Sequence, residues 1–154
     1  MRRLSIAAAL LAVILMASTA NAQSKTCKDT DNGGRLLRVG EAYSVDASWY
    51  GPGMKLHEMK DGSWKPLTAT GQIFNMHKSF IAHKNLPFYS VVELHNSATN
   101  ETKVVQVLDD GPHVEGREVD ATLGLAEELK FKGSGVVELT MTIVSMPDDK
   151  PCRI

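Results

Sequence analysis

The sequence predicts an all-β domain that carries one short helix, and three stretches are responsible. From Val136 to Val144, Val137, Leu139, Met141 and Ile143 alternate with Glu138, Thr140 and Thr142, the period-two pattern of a half-buried strand. Val91-Val92-Glu93-Leu94 and Thr102 to Leu108 are two further β-type runs, separated by the polar stretch His95 to Glu101, and predict a hairpin with a longer loop. A single segment, Leu123 to Lys130, has helical spacing: Leu125, Ala126 and Leu129 share one face, Thr122 stands at the N-cap position, and Gly133 follows as a stop. Short strands with one helix fit a barrel or a sandwich, and periodicity does not choose between them.

The remaining elements follow in chain order. Arg2 and Arg3 precede an apolar run from Ile6 to Ala17, too short to span a bilayer comfortably, and Ala20-Asn21-Ala22 offers small residues for cleavage. Residues 1–22 are therefore expected to be a signal peptide, with a mature start near Gln23. Cys27 follows Ser24-Lys25-Thr26, which does not fit a lipoprotein box, so no membrane anchor is expected after cleavage. Residues 23–39 are polar, with a turn at Asp31-Asn32-Gly33-Gly34, and predict an N-terminal linker. Residues 40–146 then form the domain, opening with a strand from Glu41 to Tyr50 that breaks at Gly51-Pro52-Gly53. Residues 54–67, with His57, Glu58 and Trp64, read as a loop, and residues 147–154 as a tail containing Cys152.

Cleavage leaves 132 of the 154 residues, enough for one core and not two. Without Arg2 and Arg3 the 17 basic residues become 15 against 18 acidic, which argues against a nucleic-acid partner. Cys27 and Cys152 sit near opposite ends of the mature chain. In an oxidising compartment they predict one disulfide, stabilising by about 4–5 kcal/mol in the chain-entropy account. Neither the cysteines nor the scattered histidines have metal-ligand spacing, so no metal and no cofactor is expected.

Five landmarks stand in order along the chain: Ala47-Ser48-Trp49-Tyr50-Gly51, Thr68-Ala69-Thr70-Gly71-Gln72-Ile73-Phe74, Ala82-His83-Lys84-Asn85-Leu86-Pro87, Asp109-Asp110-Gly111-Pro112 and Val119-Asp120-Ala121-Thr122. The string resembles the rare lipoprotein A (RlpA) family of lytic transglycosylases, whose pattern runs A-S-W-Y-G, T-A-x-G-E-x-[FY], A-H-x-x-L-P, D-R-G-P and I-D-L-S. The resemblance covers about residues 45 to 144. It implies a six-stranded double-psi β-barrel with one short helix and a groove that takes a glycan. It also implies cleavage of the MurNAc–GlcNAc β-1,4 bond of peptidoglycan to 1,6-anhydro products; the expected signal peptide makes the protein periplasmic or secreted, and a monomer is expected.

Such a reaction needs one carboxyl that first donates a proton to the glycosidic oxygen and then takes one from the sugar's own 6-hydroxyl, unlike the paired carboxylates of most glycosidases. The resemblance places this role on Asp109. Asp110, adjoining in sequence, and Asp120 are the like charges that would favour its protonated form. On composition alone, Asp109-Asp110-Gly111-Pro112 is also an ordinary turn.

Two positions depart from the pattern. Gln72 replaces the family's Glu and cannot titrate, and Asp110 replaces its Arg, putting an anion where a cation is expected. Tyr50, Gln72, His83 and Asp110 are candidate substrate-binding residues, and His83 reads equally as a residue that orients Asp109 or as a hydrogen-bonded structural histidine. Trp49 is read as core, Tyr50 as groove wall, and Asp120 as structural, satisfying backbone N–H groups at the helix start. Two other activities fit the same barrel: glycan binding without efficient cleavage, as Gln72 and Asp110 would allow, and β-glucan hydrolysis. Hydrolysis would need a second carboxylate from Glu58, Glu115 or Glu118.

Overall fold

The computed structural model describes residues 25–30 and 33–153; the expected signal peptide and its cleavage site lie outside the described residues. The strands in chain order are β1 (Thr26–Lys28), β2 (Leu36–Arg38), β3 (Ala42–Tyr50), β4 (Leu56–Glu58), β5 (Trp64–Pro66), β6 (Ile81–His83), β7 (Val91–Asn96), β8 (Glu101–Asp109) and β9 (Val119–Thr122). The helix α1 (Leu123–Glu128) and the strand β10 (Val137–Ser145) follow.

Six strands close into a barrel in the order β10-β3-β9-β6-β8-β7, and β1-β2 and β4-β5 form two separate ribbons. The β3–β9 and β6–β8 contacts are parallel, and the other barrel contacts are antiparallel. This is the closed six-stranded barrel with one short helix that the resemblance implies. Alternation drives it: Tyr43, Val45 and Ala47 of β3 and Leu139, Met141 and Ile143 of β10 point into one core with Val92, Leu94, Val105 and Val107. Closure leaves the barrel itself without an unpaired edge. Leu125, Ala126, Leu129 and Phe131 plug the same core from α1 and the residue stretch after it.

Several elements differ from the sequence expectation. Residues 23–39 are not merely a polar linker, because β1 and β2 pair, with Cys27 and Leu37 1% and 0% exposed. Burying Leu37 stabilises the ribbon by on the order of 2 kcal/mol. Arg35 fastens it to the barrel, with Nη2 3.0 Å from Asp29 Oδ2 and 3.5 Å from Glu118 Oε1. Glu118 Oε2 meanwhile accepts the Asp46 amide at 2.7 Å. The 91–108 hairpin has a shorter connection than expected, since His95 and Asn96 pair with Thr102 and Glu101. Within residues 54–67, β4 and β5 pair rather than forming plain loop.

Thr122 occupies the N-cap of α1 without capping it. Its hydroxyl donates instead toward the carbonyls of Lys78 (2.6 Å) and Phe80 (3.2 Å). The helix stops before Gly133: Lys130 takes a left-handed backbone at φ 58°, and the Leu129 carbonyl accepts from Asn96 Nδ2 at 2.8 Å and Thr99 Oγ1 at 3.1 Å. Cys27 and Cys152 form the expected disulfide.

Candidate active site

The end of β8 carries Asp109, which pairs in register with Ala82 of β6; Ala82 also pairs with Asp120 of β9, and Asp120 with Ser48 of β3. Asp109, Ala82, Asp120 and Ser48 thus lie in one row across four barrel strands. Asp109 is 7% exposed. Its Oδ2 accepts the Tyr50 hydroxyl at 2.9 Å, and its Oδ1 accepts the amides of Ala69 at 2.8 Å and Asp110 at 2.9 Å. Three donors from three segments fix the carboxyl's orientation, which a proton-transferring group requires.

The Thr68–Gln72 turn delivers the Ala69 amide. Thr70 hangs it on β8, its amide and hydroxyl both donating to the Leu108 carbonyl at 3.3 and 3.0 Å. Thr68 closes it, donating its N–H to the Gln72 carbonyl at 2.9 Å and accepting the Gln72 amide on Oγ1 at 3.2 Å. Gly71 sits at φ 79°, where a side chain would be strained. The Thr-Ala-Thr-Gly spacing is therefore the means of aiming one backbone amide at Asp109. The Gln72 side chain itself is exposed.

Tyr50 ends β3 and packs its ring against Phe74, centroids 5.3 Å apart. Burial pushes its hydroxyl far above the ordinary phenol range, reinforced by the charge of Asp109, the hydrogen bond to it, and the charge of Asp120. Tyr50 thus remains a donor. Two clefts flank the pair. One, of about 540 Å³, is mostly apolar and runs past Gly51, Met54, Leu56, Ile73, Phe74 and Met76. The other, of about 440 Å³, is lined by Ala69, Lys84, Phe88, Asp110 and Arg153. Tyr50 touches the first cleft through Phe74, and Ala69 and Asp110 line the second, so the hydrogen-bond partners of Asp109 reach both clefts.

The other candidate residues divide. Asp110 is exposed and pairs with Arg153 Nη1 at 2.7 Å, and with His113 Nε2 at 3.6 Å when that ring is protonated. His83 is not on the groove surface: it is 1% exposed, and its Nδ1 accepts the amides of Asn85 at 3.1 Å and Leu86 at 3.3 Å. Its place at the end of the fully buried strand β6, which lies between β8 and β9, keeps the ring inside. Asp120 accepts a short hydrogen bond from Ser48 Oγ within the β-sheet, rather than from the helix start. Trp49 is partly buried against the core, as read, and its Nε1 donates to the Lys132 carbonyl at 3.0 Å. Of the carboxylates considered for hydrolysis, Glu118 is committed to Arg35 and the Asp46 amide. No group of three or more metal-ligating side chains exists among the described residues.

Sequence reasoning missed Ala69, whose contribution is a backbone amide, and Arg153, which reaches the site from beyond the last strand.

A family model described as lytic transglycolase matches residues 43–141, the span of the barrel and its site. The chain belongs to this family. Among its relatives, the probable endolytic peptidoglycan transglycosylase RlpA of Aquifex aeolicus is 37% identical over 91 residues, covering 59% of this chain and 36% of that protein. The endolytic peptidoglycan transglycosylase RlpA of Helicobacter pylori strain J99 is 31% identical over 106 residues, covering 69% and 31% respectively. That of Vibrio cholerae is 30% identical over 131 residues, covering 82% and 46%. The chain thus spans about a third to a half of the length of these relatives. The solved structure of Streptomyces papain inhibitor superposes with a TM-score of 0.52 at 17% identity, covering 71% of this chain and 99% of that one, which shows a shared barrel fold and nothing of activity.

Proposed function

We propose that this domain is an exported lytic transglycosylase that cleaves MurNAc–GlcNAc β-1,4 bonds of peptidoglycan glycan strands, with Asp109 as its acid and base. The observation that carries this is the setting of Asp109: a nearly buried carboxyl, held by Tyr50, Ala69 and Asp110, whose partners reach two clefts of a lytic transglycolase barrel. The relatives' names supply the substrate class.

In this reading the glycan lies across both clefts. The protonated Asp109 gives its proton to the bridging oxygen as the C1–O bond breaks, releasing the leaving sugar as an alcohol. The 6-hydroxyl of the MurNAc left behind attacks its C1, and the Asp109 carboxylate takes the hydroxyl proton, which restores the acid. No water is consumed. Tyr50 keeps the carboxyl aligned through both transfers. The apolar Met54–Leu56–Ile73 wall offers surface for the sugar's carbon faces and methyl groups. Export by residues 1–22 and action in the periplasm or outside the cell complete the reading, consistent with a disulfide between Cys27 and Cys152.

The test is mass spectrometry of digested sacculi with wild type and Asp109→Asn. Wild type should yield 1,6-anhydro ends, and the variant should lose about 10²–10⁴-fold, the usual worth of general acid–base catalysis. Melting curves accompany the assay, because the amide also changes the bonds to Ala69 and Asp110. Reducing ends from wild type, or anhydro products from a folded Asp109→Asn protein, would overturn the assignment.

A further inference from the structure

Arg153 lies beyond β10, and four separate interactions hold its guanidinium. Its Nε donates to the Leu86 carbonyl at 2.9 Å, its Nη2 makes a short bond to the His83 carbonyl, and its Nη1 meets Asp110 Oδ1 at 2.7 Å. The carbon of the guanidinium sits 3.9 Å from the centroid of the Phe88 ring, a cation–π contact. Its backbone N–H donates to the Asn85 carbonyl at 3.0 Å. The side chain is 15% exposed, so most of it is withdrawn from water.

The neighbouring residue is Cys152, bonded to Cys27 of the buried ribbon. The disulfide therefore fixes the backbone one residue from a guanidinium that faces the reacting carboxyl's neighbour. Asp110 stands where the family resemblance expects arginine, and Arg153 brings a guanidinium to that place from 43 positions along the chain. Two carboxylates side by side without a cation would repel one another and crowd the groove with negative charge. Burial lowers the proton affinity of Arg153, while the charges of Asp110 and Asp109 oppose that lowering, so the guanidinium and both carboxylates share one field.

We propose that Arg153, held by the Cys27–Cys152 disulfide, is a positioning residue for the reaction: it neutralises and orients Asp110, and so sets the charge around Asp109. This rests on the transglycosylase reading above. It makes activity dependent on the disulfide through a route other than global stability. An arginine planar fork suits the task, since it bridges two carbonyls and a carboxylate at once, and lysine supplies only a point charge.

The experiment measures anhydro-product formation with the intact mature protein and its variants, each checked by melting and circular dichroism. Arg153→Gln should lower kcat about tenfold, the scale of one lost charged hydrogen bond, with KM changed less than about twofold. Arg153→Lys should recover part of the loss. Arg153→Gln with Asp110→Asn should lose less than the sum of the two single losses, because the uncompensated carboxylate is removed along with its cation. Reducing the disulfide under conditions where the barrel remains folded, or replacing both cysteines with serine, should reproduce the Arg153→Gln loss. A folded Arg153→Gln protein with wild-type kcat overturns the proposal alone. So does a double variant whose losses simply add. A wild type without anhydro products overturns the transglycosylase reading, and this proposal with it.

Discussion

The Tyr50 hydroxyl donates to Oδ2 of Asp109 across 2.9 Å, and it comes from β3, which β9 and β6 separate from β8 in the barrel order. The bond ties the end of one parallel pair to the end of the other. Tyr50→Phe keeps the ring packed on Phe74 and removes only the donor, leaving Oδ2 without that partner. A hydrogen bond to a charged group is worth about 1.5–3 kcal/mol, so anhydro-product formation should fall roughly ten- to a hundredfold with the fold retained. Product formation within twofold of wild type would show that the two amides on Oδ1 suffice to align the carboxyl.

The same hydroxyl predicts an alkaline limit to stability. An unfolded chain releases the Tyr50 proton near its ordinary value of 10.0, whereas the folded protein holds it far above that, chiefly because of burial. The folded state therefore binds more protons than the unfolded state above about pH 10, and stability must fall as pH rises there. Tyr43, also raised chiefly by burial, adds in the same direction. Urea midpoints from pH 8 to 11 should decline more steeply in wild type than in Tyr50→Phe; parallel declines would contradict the burial of this hydroxyl.

How far the sequence reached is clearest by comparing elements. β10 was legible within a residue because Leu139, Met141 and Ile143 alternate with polar residues over nine positions. β6 was not, because Ile81, Ala82 and His83 are all buried and three residues give no period to read. The same burial decides His83: the motif leaves sugar ligand and structural histidine open, and an interior strand with Nδ1 accepting two amides favours the structural role. Asp109 becomes a candidate only through motif order, since its local sequence is also that of a turn. Arg153 was out of reach, because its placement depends on a disulfide and on four contacts from residues 83 to 110. Ala69 contributes a backbone N–H, which no side-chain pattern encodes.

Gln72 offers a test of the departure from the family pattern. Its backbone closes the turn with Thr68 while its side chain is exposed, so Gln72→Glu should shift stability by no more than about 0.5 kcal/mol. Anhydro-product formation should be equal or higher than in wild type, because the change supplies the carboxyl the family pattern carries. A folded Gln72→Glu protein with a fivefold or greater loss would mean that the amide itself contacts substrate.

Gly124, in the first turn of α1, links the helix to the apolar cleft. Its N–H donates to the Met76 carbonyl at 2.8 Å, and a Cβ built on it would stand 2.5 Å from the His77 carbonyl oxygen and 2.8 Å from the carbonyl carbon. Both obstacles are backbone, so no side-chain rotation relieves them. Alanine gains about 1 kcal/mol in helix propensity over glycine. Overpacking against fixed atoms costs typically about 1–3 kcal/mol, and this overlap belongs at the upper end. Gly124→Ala should therefore be net destabilising despite the better helix former. The strain would fall on residues 75–77, which line the 540 Å³ cleft together with Gly51 and Leu56, so glycan-strand binding should weaken as well. Gly133→Ala is the control, since a Cβ there meets nothing within 4 Å and its φ is not in the left-handed region. Urea unfolding of the two variants, alongside a sacculus pull-down, separates the effects. A Gly124→Ala protein as stable as wild type would show that the 75–77 segment yields freely and does not form a fixed wall of the cleft.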